Sequence, residues 1–169
     1  CKDPDEEVCR LALISGHIVF SDILPSYRVR ISTEAEMGAQ MKKETRLLRE
    51  FERRLLQTYQ RYLKCLGSAV AEMSMKRCSV RSLAMSAVGC LAELLKTRPE
   101  FNFRSNIIAV IVPLMGVVDD KEGSLAESAS AAATAARRNA ARASVRKTVR
   151  EAVEHVFEHD QSGKVSLEI

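Results

Sequence analysis

His155-Val156-Phe157-Glu158-His159 has the spacing of a zinc-hydrolase motif. H-x-x-E-H on a helix sets two imidazoles on one face, one turn apart, with a glutamate placed to act as general base. Only ten residues follow His159 to supply a third ligand, and histidines near a helix end also complement the negative pole of its dipole. The dipole explanation is preferred, with a zinc-dependent hydrolase using His155 and His159 as the alternative. Glu158, Asp160, Ser162, Gly163 and Val165 then imitate a calcium loop, but Ile169 stands where the bidentate glutamate belongs and Glu168 comes one place early. A helix capped by Gly163, with another opening at Ser166, explains these residues without a metal. His17 adjoins an apolar helical stripe and reads as a packed residue. No G-x-S-x-G, P-loop or G-x-G-x-x-G occurs. Cys1, Cys9, Cys65, Cys78 and Cys90 are odd in number and contain no C-x-x-C pair. Cys65 and Cys90 lie among apolar helix residues, which predicts buried thiols in a reducing compartment. No catalytic residue, metal site or cofactor is assigned.

Charge is the second source of chemistry. The chain has 169 residues and a net charge of +4, concentrated in two places. Residues 41–64 hold eight basic and three acidic side chains, and residues 137–150 hold six basic and no acidic ones. Arg138, Arg142, Arg146 and Arg150 step by four and would line one helical face. With no acid between them, pairing within the helix cannot neutralise them. Phosphate or an acidic partner helix is therefore weighed evenly against a solvated face. The stacking aromatics of single-strand RNA modules are missing from this stretch.

The elements that must carry these groups read as helices. At 46% hydrophobic and 28% charged residues, the chain can build a core, and with 5% aromatics and no Trp that core must rest on aliphatics. The first helix spans residues 4–24, with Asp3 as N-cap, Pro4 in its first turn and Pro25 as its stop. Val8, Leu11, Ala12, Ile14, Ile18, Val19 and Ile23 form a stripe that must be buried against something. Residues 26–32 alternate Tyr27, Val29 and Ile31 against Arg28 and Arg30, an extended strap with the arginines outward.

Thr33 and Glu36 form a capping box for a long helix running to about residue 75, with a break expected near Gly67. Its stripe is Leu48, Phe51, Leu55, Tyr59, Tyr62, Leu66, Val70 and Met73. A third helix over residues 79–97 turns Leu83, Ala84, Ala87, Val88, Leu91, Leu94 and Leu95 inward, and its small residues invite close approach. Pro99 ends it, and Phe101-Asn102-Phe103 fills the corner. A fourth, capped by Ser105, is apolar nearly all round and so expected to be central, with a kink at Pro113. The Ala/Ser/Arg-rich segment 124–144 is of low complexity and reads as a solvated extension. Val145, Val149, Val153, Val156 and Phe157 then restore amphipathic spacing. The fold class is all-α, an irregular helical-repeat α-solenoid fragment of HEAT or armadillo type, with residues 1–169 as a single helical domain. Cys1 in place of an initiating Met is read as the mark of a piece of a longer chain. The apolar run 107–118 is too short to span a bilayer, so no membrane partner is expected.

Several phrases, taken in order, resemble one family. Leu11 to Ser15, Val19 to Arg30, Thr33-Glu34, Lys43-Glu44, Leu48 to Glu52, Tyr59 to Lys64, Pro99 to Ile108, Asp160 and Gly163 to Glu168 look like the N-terminal helical region of nucleolar complex-associated protein 3. Residues 125–143 depart from the pattern. The resemblance implies a non-enzymatic helical-repeat scaffold of the nucleolus and nucleus. It also implies pairing with a nucleolar complex protein 2-like partner and travel with pre-60S ribosomal particles during rRNA processing and intranuclear transport. A second implied role lies with chromatin-bound replication factors at replication initiation. Arg28, Arg30, Arg138, Arg142, Arg146 and Arg150 are the residues expected to make electrostatic contacts, with pre-rRNA among the candidate partners. Pro25, Tyr27, Pro99, Phe101, Asn102, Phe103 and Arg104 are expected to hold the joints.

Overall fold

A computed structural model describes residues 3–30, 42–72, 80–116 and 129–160. The described residues form helices, with no strand among them. In chain order these are α1 (Glu6–Ile23), α2 (Lys43–Glu72), α3 (Val80–Thr97), α4 (Arg104–Ile111), a 3-10 turn (Val112–Met115) and α5 (Ala129–His159). The capping box at Thr33 and Glu36, and the helix cap at Gly163 with the helix expected to open at Ser166, lie outside the described residues.

Helix α3 is the centre, and α1, α2 and α5 each pack along it. The reason is side-chain size. Ala84, Ala87, Leu94 and Leu95 are fully buried, and Val88, Leu91 and Ala92 nearly so. Small residues on several sides let three neighbours close in at once. This corrects the expectation that the fourth helix would be central. Helix α4 is only eight residues long and buries one face, Ile107, Ile108 and Ile111. It starts at Arg104, with Phe103 rather than Ser105 at the N-cap. Pro113 enters the 3-10 turn, where its missing N–H costs little.

Helix α1 begins two residues later than expected. Asp5 is the N-cap and accepts from Glu7 N–H at 2.9 Å, while Asp3 accepts from Asp5 N–H at 2.9 Å. Pro25 does stop it: Ile23 is the last helical residue and Leu24 is extended. The face it buries is a correction. Cys9, Leu13, Phe20 and Leu24 meet the core, whereas Val8, Leu11, Ile18, Val19 and Ile23 are exposed. Gly16 lies on the buried side, where an added Cβ would meet Tyr62 Cε2 at 2.9 Å. Tyr62 uses that space to donate its hydroxyl to the Leu13 carbonyl at 2.8 Å.

Helix α2 passes through Gly67 without a break and buries Leu55, Leu56, Tyr59, Leu66, Ala69 and Val70. Leu48 and Phe51, expected on that stripe, are exposed because the helix runs past its neighbours at this end. Helix α5 joins the Ala-rich segment and the amphipathic close into one element of 31 residues. Its seam of Val145, Val149, Ala152, Val153 and Val156 is buried, while Phe157 is exposed. The described side chains at 136, 137, 139 and 140 are exposed, consistent with a solvated extension.

The aromatic corner has one unusual backbone. Phe103 has φ 69°, the only non-glycine with positive φ among the described residues. Its ring is partly buried, 6.3 Å from Tyr59, whereas Phe101 is 2% exposed and packs edge-on against Tyr59 at 5.4 Å. Phe101→Ala is expected to lower stability by about 3–5 kcal/mol in urea unfolding. Phe103→Asn should cost clearly less, because Asn tolerates the left-handed region that a bulky ring resists.

Candidate interaction surface

The two phrases that interrupt the helices meet in space. Asn102 is 8% exposed, and its carboxamide makes a two-point clasp on the strap. Its Oδ1 accepts from Val29 N–H at 2.8 Å, and its Nδ2 donates to the Val29 carbonyl at 2.9 Å. One side chain thereby mimics a strand pairing and satisfies both backbone groups of buried Val29. Arg98 completes the joint. Its Nε donates to the Leu24 carbonyl and its Nη2 to the Ser21 carbonyl, both at 2.9 Å. A cation thus occupies the carbonyl end of α1, where the dipole favours it. Arg98 carried no signal of its own in the sequence, since its partners lie more than seventy positions away. Pro99 lies in the turn after α3, and Arg104 pairs with Glu100 at 3.6 Å.

The strap holds its arginines outward as expected: Arg28 and Arg30 are exposed, and Val29 is 3% exposed. Tyr27 is different. It faces solvent and donates its hydroxyl to Glu52 Oε1 at 3.2 Å, so it tethers the strap to α2 instead of pressing into the core. Burial and Glu52 together push its hydroxyl pKa up.

The arginine series on α5 is not uniform. Arg150 is exposed, while Arg142 and Arg146 are half-buried beside the Val145–Val149 seam and already have interaction partners. Arg138 lies on the same helix, four residues before Arg142. A second basic surface lies on α2, where Arg46, Arg53, Arg54, Arg61 and Lys64 are exposed. Arg53 and Arg54 both grip Glu50 and hold its carboxyl down to about 2.

The histidine pair forms a stack, not a claw. The rings of His155 and His159 lie 4.2 Å apart at 18°, and His159 Nδ1 sits 2.8 Å from the His155 carbonyl. Among the described residues, no group of three or more His, Cys, Asp or Glu comes together to hold a metal ion. Cys90 is buried as expected and Cys9 is buried too, but Cys65, expected to be buried, is exposed, because it falls on the outer side of α2. Burial pushes the Cys90 thiol up, away from the reactive thiolate. A depression of about 190 Å³ lies between α2 and α4, below the roughly 300–1,000 Å³ of usual small-molecule sites. No described helix is long and apolar enough to cross a membrane.

Comparison with known proteins agrees with the phrases noted above. Residues 1–62 match the family model described as nucleolar complex-associated protein. The chain is 43% identical over 123 residues to nucleolar complex protein 3 homolog of Danio rerio, covering 68% of this chain and 15% of that protein. The human homolog is 41% identical over 125 residues, covering 68% of this chain and 16% of that protein. Nucleolar complex-associated protein 3 of Saccharomyces cerevisiae is 32% identical over 111 residues, or 66% of this chain and 16% of that protein. Over this stretch the chain belongs to the nucleolar complex protein 3 family. It spans about 15% of the length of these relatives.

Two measurements test the joint. Asn102→Ala orphans both backbone groups of Val29, and each buried group left unpaired is expected to cost about 1–3 kcal/mol in chemical unfolding. Asn102→Asp should also destabilise, since it keeps the acceptor but turns the donor toward the Val29 carbonyl into a repelling oxygen. His17 gives a pH test. Its Nδ1 is buried without a partner, and burial lowers its pKa below the usual histidine value, opposed by the Glu93 charge. The unfolded chain therefore binds the proton more readily than the folded one. Its contribution to stability is complete above the ordinary histidine pKa and is lost as pH falls toward the depressed folded value. Thermal unfolding at pH 7.5 and pH 5.5 should show a drop in the parent chain that is smaller in His17→Gln.

Proposed function

We propose that this chain serves as a non-enzymatic binding scaffold in large-ribosomal-subunit biogenesis, working in the nucleolus and nucleus. The observation that carries this is its membership of the nucleolar complex protein 3 family across two thirds of its length. The arrangement supports it: helices build the core, and the polar chemistry that remains is outward-facing charge on α2, the strap and α5. The helices are proposed to be part of an irregular HEAT- or armadillo-like array, with residues 1–169 acting as one unit. In this reading Arg28, Arg30, Arg138, Arg142, Arg146 and Arg150 supply electrostatic contacts to a nucleolar complex protein 2-like partner and to the pre-60S particle. The Asn102 and Arg98 joint keeps the strap in place, so that Arg28 and Arg30 are presented at a fixed position. Contact with chromatin-bound replication factors belongs to the same proposal.

A second reading, direct binding of pre-rRNA, is favoured by the run of exposed cations along the outer side of α2. Such a surface meets phosphates without reading bases.

The test is cosedimentation of the tagged chain with nuclear ribosomal precursors on a sucrose gradient. The chain is expected in the large-subunit precursor fractions, with Arg28→Glu and Arg150→Glu reducing the bound share. A chain that stays at the top of the gradient at low salt overturns the reading. Binding of the purified chain to structured RNA that weakens steeply with salt supports the pre-rRNA contact, and a flat salt response points to a protein partner.

A further inference from the structure

Two exposed apolar surfaces on this chain are complementary to each other. The first is on α1. Val8, Leu11, Ile18, Val19 and Ile23 are 46%, 52%, 57%, 54% and 45% exposed. Their spacing puts them on one side of the helix, opposite the Leu13–Phe20 side that meets the core. They form a strip over residues 8–23, about 24 Å long at 1.5 Å per residue. A contiguous apolar strip on a folded surface marks an interface, unlike apolar residues scattered singly. Its charge is acidic: Asp3, Asp5, Glu7 and Asp22 are exposed, and Arg10 is the one basic residue among positions 3–23. Asp22 lies within the strip itself, one turn beyond Ile18.

The second surface is the first part of α2. Every residue from 42 to 48 is exposed, so these turns stand clear of the body on all sides. They carry Leu47, Leu48 and Phe51 at 61%, 55% and 58% exposure. Their charge is basic: Lys42, Lys43, Arg46, Arg49, Arg53 and Arg54 against Glu44, Glu50 and Glu52. Residues 43–51 give about 14 Å of helix, enough to lie along a little over half of the strip on α1.

We infer that the apolar strip of α1 is the seat for the projecting first turns of α2 from a second copy of this chain. An acidic apolar strip and a shorter basic apolar rod are complementary in sign and in apolar character. Because each copy carries both, the contact is made twice in a two-fold dimer, with Leu47, Leu48 and Phe51 of one copy laid along α1 of the other. Arg46 and Arg49 flank Leu47 and Leu48 and would bring a cation to Asp22. The first turns of α2 also carry cations of the pre-rRNA reading, but the dimer is measured on the purified chain alone, so its failure and the failure of the ribosomal reading are distinguishable.

Sedimentation equilibrium of the purified chain across a micromolar range tests it. A monomer–dimer equilibrium is expected, and Leu11→Glu with Ile18→Glu should weaken it by at least about tenfold, as should Leu48→Glu with Phe51→Glu. Circular dichroism should be unchanged, and so should unfolding curves recorded at concentrations where the parent is monomeric, since all four positions are solvent-facing in the single chain. Asp22→Lys is a milder variant and should also weaken the dimer. The decisive measurement mixes the two doubly substituted chains. Each keeps one intact surface, so the mixture is expected to form a mixed dimer held by a single α1–α2 contact, although neither chain pairs well with itself. A chain that is monomeric throughout the range overturns the inference, leaving the strip to another protein. A dimer insensitive to the α1 substitutions, or a mixture that fails to pair, overturns it equally.

Discussion

One carboxamide satisfies the buried backbone of the strap after α1. Helices satisfy their own backbone, but residues 24–30 do not, and Val29 is buried. A buried N–H and carbonyl without partners would destabilise the strap enough to expel it. Asn102 supplies a donor and an acceptor in one planar group, at the spacing of a peptide. Neither Asp nor Leu could replace it: the first lacks the donor, the second lacks both. The positive φ of Phe103 follows from the same demand, because the chain must turn sharply from the residue that makes the clasp into the start of α4. Backbone strain is kept where a polar contact requires it.

Helix α3 builds the core from alanines set beside Leu91, Leu94 and Leu95. Its alanines contribute little area of their own, yet they set the distance at which α1, α2 and α5 stand from one another. Leu66, Tyr59, Ile111 and Val149, all nearly or fully buried, supply the volume from the surrounding helices. An aromatic cluster of Phe20, Tyr59, Tyr62 and Phe101 fills the end of the core nearest the joint. The clasp and the core are thus mechanically continuous.

What could be read in the sequence was local. Pro25 ended α1 as expected, and the inward residues of α3 were legible because leucine and valine alternate with alanine at helical steps. The strap was legible in part: Val29 turned in and Arg28 out, but Tyr27 found Glu52 and stayed in solvent. For α1 the periodicity established a helix and chose the wrong face for its core. The buried side uses Cys9 and Gly16, which score weakly as hydrophobic, while the exposed side is richer in Val and Ile. Periodicity reports that a surface wants covering and does not say by what. Asn102 was named as a joint residue on the family resemblance, but its partner Val29, and Arg98 altogether, were out of reach for another reason: a hydrogen bond between residues more than seventy positions apart leaves no trace in local spacing.

The length of α5 has a geometric consequence. Val145 is the first of its described side chains to be fully buried in the seam, and the residues before it continue the same 31-residue helix. The bearing of anything at the tip is then a matter of helical phase. Removing one residue from the alanine-rich stretch swings the tip by about 100° around the rod's axis, while removing seven returns it to within about 20°. Length in that stretch, counted in whole turns, therefore sets the direction in which the start of the helix points.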